Sequence, residues 1–256
     1  MDPGSRIFLG VSLALVVSSA SAADLTREDV QAMLAAGQPG QAVSLAGRSL
    51  AGSDLHDLDF SGADLSGADL SEADLRGAKL VATKLVGAKL PRARLNFAWI
   101  MRADFSQADL SGAVLQTLVV SAGMATLPNE AASFVGANLS GAKVTARFSL
   151  DDMRGANLSH LQAATDMRNQ SMGLIRADFS RANLEGATFE GAALNKVTFE
   201  FARLKGAVFA GADLTDANFS GADLTDADLT GAKVGGADFT SATLQGTRGL
   251  AQPPRQ

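Results

Sequence analysis

Residues 60–80 read Phe60-Ser-Gly-Ala-Asp-Leu65-Ser-Gly-Ala-Asp-Leu70-Ser-Glu-Ala-Asp-Leu75-Arg-Gly-Ala-Lys-Leu80. A large apolar residue returns every fifth position, with Ala two residues before it. Worked outward, the register holds from Leu50 through Leu55, Leu85, Leu90, Leu95, Ile100, Phe105, Leu110 and Leu115 to Val120. A second block repeats it from Phe179 and Leu184 to Phe239 and Leu244, and Ala precedes every large residue there except Phe199, where Val197 stands. A period of five matches neither an amphipathic helix nor a strand of period two. It matches a solenoid with one short side per repeat. The large and small apolar residues point inward, and the last position, often glycine, turns a corner.

Units such as Ala63-Asp64-Leu65-Ser66-Gly67 and Ala222-Asp223-Leu224-Thr225-Asp226 resemble the pentapeptide repeat family. The resemblance is strong over 46–120 and 175–248 and weaker over 132–160. It implies an all-β fold, a right-handed quadrilateral β-helix with four repeats, or twenty residues, per coil. Residues twenty apart then stack. Asp59, Asp64, Asp69 and Asp74 should lie under Lys79, Lys84, Lys89 and Arg94, with Lys84 and Lys89 under Asp104 and Asp109. Arg203 should meet Asp223, and Asp213 should meet Lys233. Exposed pairs of this kind contribute about 0.2–1 kcal/mol each, so they tune register more than they stabilise.

Outside the repeats, residues 1–22 read as a signal peptide. Arg6 precedes the apolar run Ile7–Val17, and Ala20-Ser21-Ala22 forms a cleavage site that predicts a mature chain from Ala23. The run is too short for a permanent span, so no stable membrane insertion is expected. In a bacterium the protein would be periplasmic or secreted. Within 23–45, Thr26 followed by Arg27-Glu28-Asp29 and by Val30, Met33 and Leu34 predicts a short amphipathic helix that caps the first coil. The β-helix should occupy 46–248, interrupted near 121–133, where Gly123 and Pro128 mark a loop, and near 162–173. Residues 249–256 read as a disordered tail.

Chemistry is sparse. The 256 residues include no Cys and no Tyr, one Trp and two His. Disulfides, thiolate catalysis and Cys-ligated zinc are therefore excluded. His56 and His160, about five coils apart, cannot share a site, and no serine has a base arranged to activate it. No catalytic, cofactor-binding or metal residue is assigned, and no cofactor is expected. A net charge of −5 argues against nucleic-acid binding.

The one feature the repeat does not require is apolar: Phe97, Trp99 and Met101 around Ile100, with Val119 one coil on, and Phe201 beside Phe199. These five form the candidate interaction patch, for the 121–133 loop folding back or for another protein. The favoured function is a non-enzymatic scaffold or protein-interaction module of the bacterial cell envelope. The alternative, implied by the resemblance, is a DNA-mimicking inhibitor of a topoisomerase such as gyrase that confers quinolone tolerance. A β-helix enzyme would need longer coils and a cleft. The resemblance also makes a homodimer plausible, through the last coil.

Overall fold

The structure, a computed structural model, describes residues 23–37, 41–123, 126–163 and 176–250. The expected signal peptide, most of the second interruption and the end of the tail lie outside them. Each repeat turns one corner. Its large residue accepts a hydrogen bond from the N–H three positions on, as Phe60 O does from Ala63 N at 2.9 Å. The residue between them that closes the turn has φ near +60° at almost every corner, from Gly47 to Gly246. Glycine takes this conformation without strain, but Asp57, Phe97, Arg181 and Phe201 also adopt it. A type II corner repeated every five residues bends the chain into a square.

Coils then join by parallel backbone ladders. Leu65 N donates to Lys84 O at 2.7 Å and Lys84 N donates to Ala63 O at 2.9 Å, and this pattern repeats up the rod. The bridges pair Asp59 with Lys79, Asp64 with Lys84 and Asp213 with Lys233, which is the twenty-residue register. Two three-residue strands are long enough to be named, β1 (Val114–Gln116) and β2 (Lys143–Thr145), and they pair in parallel. One face carries Phe60, Leu80, Ile100, Val120, Phe148, Phe179, Phe199, Phe219 and Phe239, so nine coils stack among the described residues. At ~4.8 Å per coil the rod is about 40 Å long.

The interior is apolar except at a few positions such as Thr83 and Asp151. Its first coils stack leucine; its later coils stack phenylalanine, with Phe199 and Phe219 parallel at 4.9 Å between centroids and Phe209 edge-on to Phe219 at 5.8 Å. At Leu161-Gln162-Ala163 the large and small residues exchange places, and both remain buried. Thr83 replaces an alanine and donates its hydroxyl to Phe60 O at 2.7 Å.

Helix α1 (Arg27–Ala35) lies over the first coil. Thr26 and Asp29 form a capping box at its start, Val30 is fully buried, and Met33 and Leu34 pack half-buried against the core. Arg27 ties it down by donating to the carbonyls of Asp54 and His56, each at 2.9 Å.

The interruptions sit at corners. Between Val120 and Phe134 the excursion adds nine residues to one coil, since Asp104 bridges Ser133 rather than residue 124. Its base is drawn together by Glu130, whose carboxylate accepts from Ser121 Oγ at 3.0 Å, Ala122 N at 3.2 Å and Leu127 N at 3.1 Å. A shortened repeat then brings Phe148 four residues after Val144. The second excursion separates Ala163 from Phe179, and the ladder resumes with Ala163 N donating to Ala193 O.

Candidate functional site

The aspartates before the large residues have a local task that charge reasoning did not reveal. Asp64 Oδ1 accepts from Ser66 N at 2.9 Å, Asp69 Oδ1 from Ser71 N at 3.0 Å, and Asp223 Oδ1 from Thr225 N at 3.0 Å. Asn138 and Asn218 do the same for Ser140 and Ser220. Each is an Asx cap that holds the outer N–H of its corner. The Ala-Asp-Leu-Ser-Gly spacing carried this signal, because an Asp two residues before a turn serine is the Asx-turn pattern. These bonds favour the ionised form. Hydrogen bonds from Ser66, Ser71, Thr215 and Thr225 hold the carboxyls of Asp64, Asp69, Asp213 and Asp223 below the usual carboxylate range.

The charge ladders stack as expected but do not all close. Lys79 reaches Asp59 at 3.4 Å, Arg94 reaches Asp74 at 3.7 Å and Lys233 reaches Asp213 at 3.9 Å. Asp74 is held more closely by Arg76 of its own corner, at 2.6 Å, and Arg203 turns to Glu185. The long side chains choose the nearer partner over the stacked one. His56 pairs with Asp54 beside Arg27 at the first coil, whereas His160 stands at a distant corner under Gly191, so the two form no common site. Among the described residues no group of acidic or histidine side chains is arranged to hold a metal ion.

The five residues of the candidate patch divide three ways. Phe97, Trp99 and Val119 belong together: Trp99 and Val119 bridge, and Phe97 is at the corner immediately before Trp99. Phe97 is 57% exposed and Trp99 39%, while Val119 is half-buried. Met101 does not belong to the exposed surface, being only 8% exposed. Arg102 N donates to Glu130 O at 2.9 Å, just as Gly62 N donates to Val81 O, so Glu130 takes the place above Met101 and the excursion closes over it. The loop therefore meets Met101 and leaves Phe97 and Trp99 open.

Phe201, 58% exposed, is a separate feature. It stands four coils beyond Phe97, about 19 Å along the rod, with Arg181 over its ring at 6.0 Å and its edge against Gly221. A side chain at 221 would displace that ring.

Beside Phe97 the surface dips into an open hollow of about 410 Å³, lined also by His56, Asp57, Arg76 and Gly77. The open apolar surface thus has an aromatic centre and a charged margin on a rigid wall of ladders.

Models of known families place the same repeat on this chain. The pentapeptide repeat model matches eight copies, over residues 41–77, 78–116, 174–211 and 207–246. The chain belongs to the pentapeptide repeat family. Those matches cover all but the last few residues of both strong blocks read in the sequence, and the interruptions fall between them. Among solved structures the repeat chain is similar to HetL, a pentapeptide repeat protein involved in heterocyst differentiation regulation from the cyanobacterium Nostoc, at 26% identity over 89% of this chain and 100% of that one, with a TM-score of 0.34. It is similar to QnrB1, a plasmid-mediated fluoroquinolone resistance protein, at 21% identity over 77% of this chain and 89% of that one, TM-score 0.45. A pentapeptide repeat protein of the Arabidopsis thaliana thylakoid lumen matches at 26% identity over 65% of this chain and 71% of that one, TM-score 0.20. No curated protein sequence matches.

Among the described residues one titratable side chain lies inside the repeat core. Asp151, 2% exposed, stands where the repeat places alanine, and burial pushes its carboxyl up to about 8. Sequence reasoning passed over it because Asp151-Asp152-Met153 reads as one outward acid too many rather than as an inward one.

Proposed function

We propose that this pentapeptide repeat protein is a non-enzymatic scaffold of the bacterial cell envelope that binds a partner protein through the Phe97–Trp99–Val119 surface. The observation that carries the reading is this exposed aromatic pair on a flat, rigid face. An aromatic pair left open on a ladder wall points to a contact. The surrounding charged groups are occupied with corners and ladders, and a twenty-residue coil filled by its own side chains has no interior for a substrate. Export rests on the sequence of residues 1–22, and places the partner outside the cytoplasm.

The test uses a photo-crosslinking residue at position 97, or at 99, in the full chain expressed in a bacterium. A discrete adduct from those positions, absent from the same probe at Ser159 and lost from the position-97 probe on Trp99→Ala, supports the reading. If Phe97→Ala with Trp99→Ala melts the rod, the pair is structural and the surface is misassigned. The DNA-mimic reading is opposed by the coil of Lys79, Lys84, Lys89 and Arg94, which crosses the acidic columns. Inhibition of gyrase supercoiling by the mature chain would restore it.

We also propose self-association through the last coil. Val234, Ala237, Ala242 and Leu244 are only half-buried against the core there, whereas Leu214, Ala217, Ala222 and Leu224 one coil below are fully buried.

A further inference from the structure

At an ordinary corner the small inward residue donates its N–H to the large residue of the repeat before it, as Ala103 N does to Ile100 O at 2.9 Å. Ala132 is the small inward residue of the coil that resumes after the first excursion, and the large residue before it, Val120, is twelve positions away. The corner bond cannot form. A buried N–H left without an acceptor destabilises the fold. Asp151 stands directly above, since Asp152 N donates to Ala132 O, and its Oδ1 accepts the Ala132 N–H at 2.8 Å. The carboxyl thus replaces the missing corner carbonyl. An aspartate occurs at this inward position because an alanine would leave the re-entry point unbonded. Its second oxygen, Oδ2, is buried with no partner, a surrounding in which an ionised carboxylate is strongly disfavoured.

We propose that Asp151 is a proton-held pin for the re-entry segment Thr126–Ala132: its neutral carboxyl docks the segment on the β-helix, and ionisation favours the undocked state. The charged groups on the elements packed around it are Arg147 at the start of its own corner, Asp152 beside it, Arg154 on the following corner, Arg102 and Glu130 below, and Arg181 above. Arg102, Arg154 and Arg181 are exposed to solvent. Burial, first, and the opposing bond from Ala132 set where Asp151 titrates. Glu130, the other carboxyl of the excursion, is held below its ordinary value by the N–H groups of Leu127 and Ala122, and so stays ionised through the neutral range.

The direction follows from linkage. The docked state keeps a proton up to about 8, while the undocked aspartate releases it near 3.8. Between those values each pH unit raises the undocking equilibrium about tenfold, and above the higher one it levels off. Undocking removes Glu130 from its place over Met101, so this apolar surface next to Trp99 becomes available as pH rises.

Amide hydrogen exchange of the full chain tests this, with rates corrected for their intrinsic pH dependence. The Ala132 amide should show an opening constant that climbs about tenfold per pH unit through neutrality and flattens near 8. Asp151→Asn keeps the acceptor and has no proton to lose, so its profile should be flat. Asp151→Ala removes the acceptor, and should open more readily than Asp151→Asn at every pH. A flat wild-type profile, or a slope retained in Asp151→Asn, overturns the proposal. So does an equal slope at amides of distant coils, such as those of Asp64 and Asp223, because ionisation would then loosen the whole rod. Should Asp151→Asn fail to fold, the wild-type slope at Ala132 compared with those two coils still decides.

Discussion

Asp213 shows what one residue of the repeat does. Its Oδ1 accepts from both Thr215 N and Thr215 Oγ1, at 3.1 and 2.6 Å, and its ladder partner Lys233 is 3.9 Å from Oδ2. The corner bonds are the shorter, so the residue is retained as a cap first and a charge second. Asp213→Asn should therefore be close to neutral in urea unfolding, while Asp213→Ala should cost about 1 kcal/mol, the usual loss of a side-chain cap. Many such carboxyls, among them Asp64, Asp69 and Asp223, sit below their ordinary value for the same reason. A lowered folded value contributes stability that is complete above 3.8 and vanishes as pH falls through the folded value. The urea midpoint should accordingly hold down to mildly acid pH and drop below about 4. A midpoint unchanged in strong acid would mean that the caps contribute nothing.

At the scale of the element, one coil side buries a large and a small apolar residue in one wall. Leu161 and Ala163 demonstrate it, since they fill the same wall in reversed order. Leu161→Ala alone should cost about 2–5 kcal/mol, and Ala163→Leu alone should overpack the wall by about 1–3 kcal/mol. The double substitution restores the usual order and should recover most of both losses, which a double-mutant cycle by thermal unfolding would read directly. Helix α1 is the other decisive element. Its capping box and buried Val30 close the first coil, whereas the last coil keeps Val234 and Leu244 half-exposed.

Across the whole molecule, stability passes from coil to coil, because each coil bonds only to its neighbours. The half-exposed last coil makes a second copy the partner we propose there. Sedimentation should give a dimer mass, and Val234→Glu with Leu244→Glu should give a folded monomer. A wild-type monomer at high concentration would remove that contact. Intact mass after cell fractionation addresses export: a periplasmic species beginning at Ala23 is expected, and a cytoplasmic species retaining Met1 would overturn the signal-peptide reading.

The architecture was legible from the chain alone. A strict five-residue period lets the inward set satisfy one geometry, so the faces follow from spacing and the helix from its Thr26 start, while the twenty-residue stack of Asp59 on Lys79 follows from the resemblance to the pentapeptide repeat family. Tertiary structure decided whatever depends on the excursions and on competition between neighbours. Met101 looked equivalent to Phe97 until Glu130 was seen above it, and Phe201 looked part of one patch until the coils between were counted. Arg203 has two acids within reach, and only the structure shows that Glu185 wins. Asp151 was invisible for the deepest reason. Its role is to accept a bond from Ala132 that an excursion elsewhere in the chain had left unmade, and a periodic pattern records what every coil shares, not the single bond that one coil lacks.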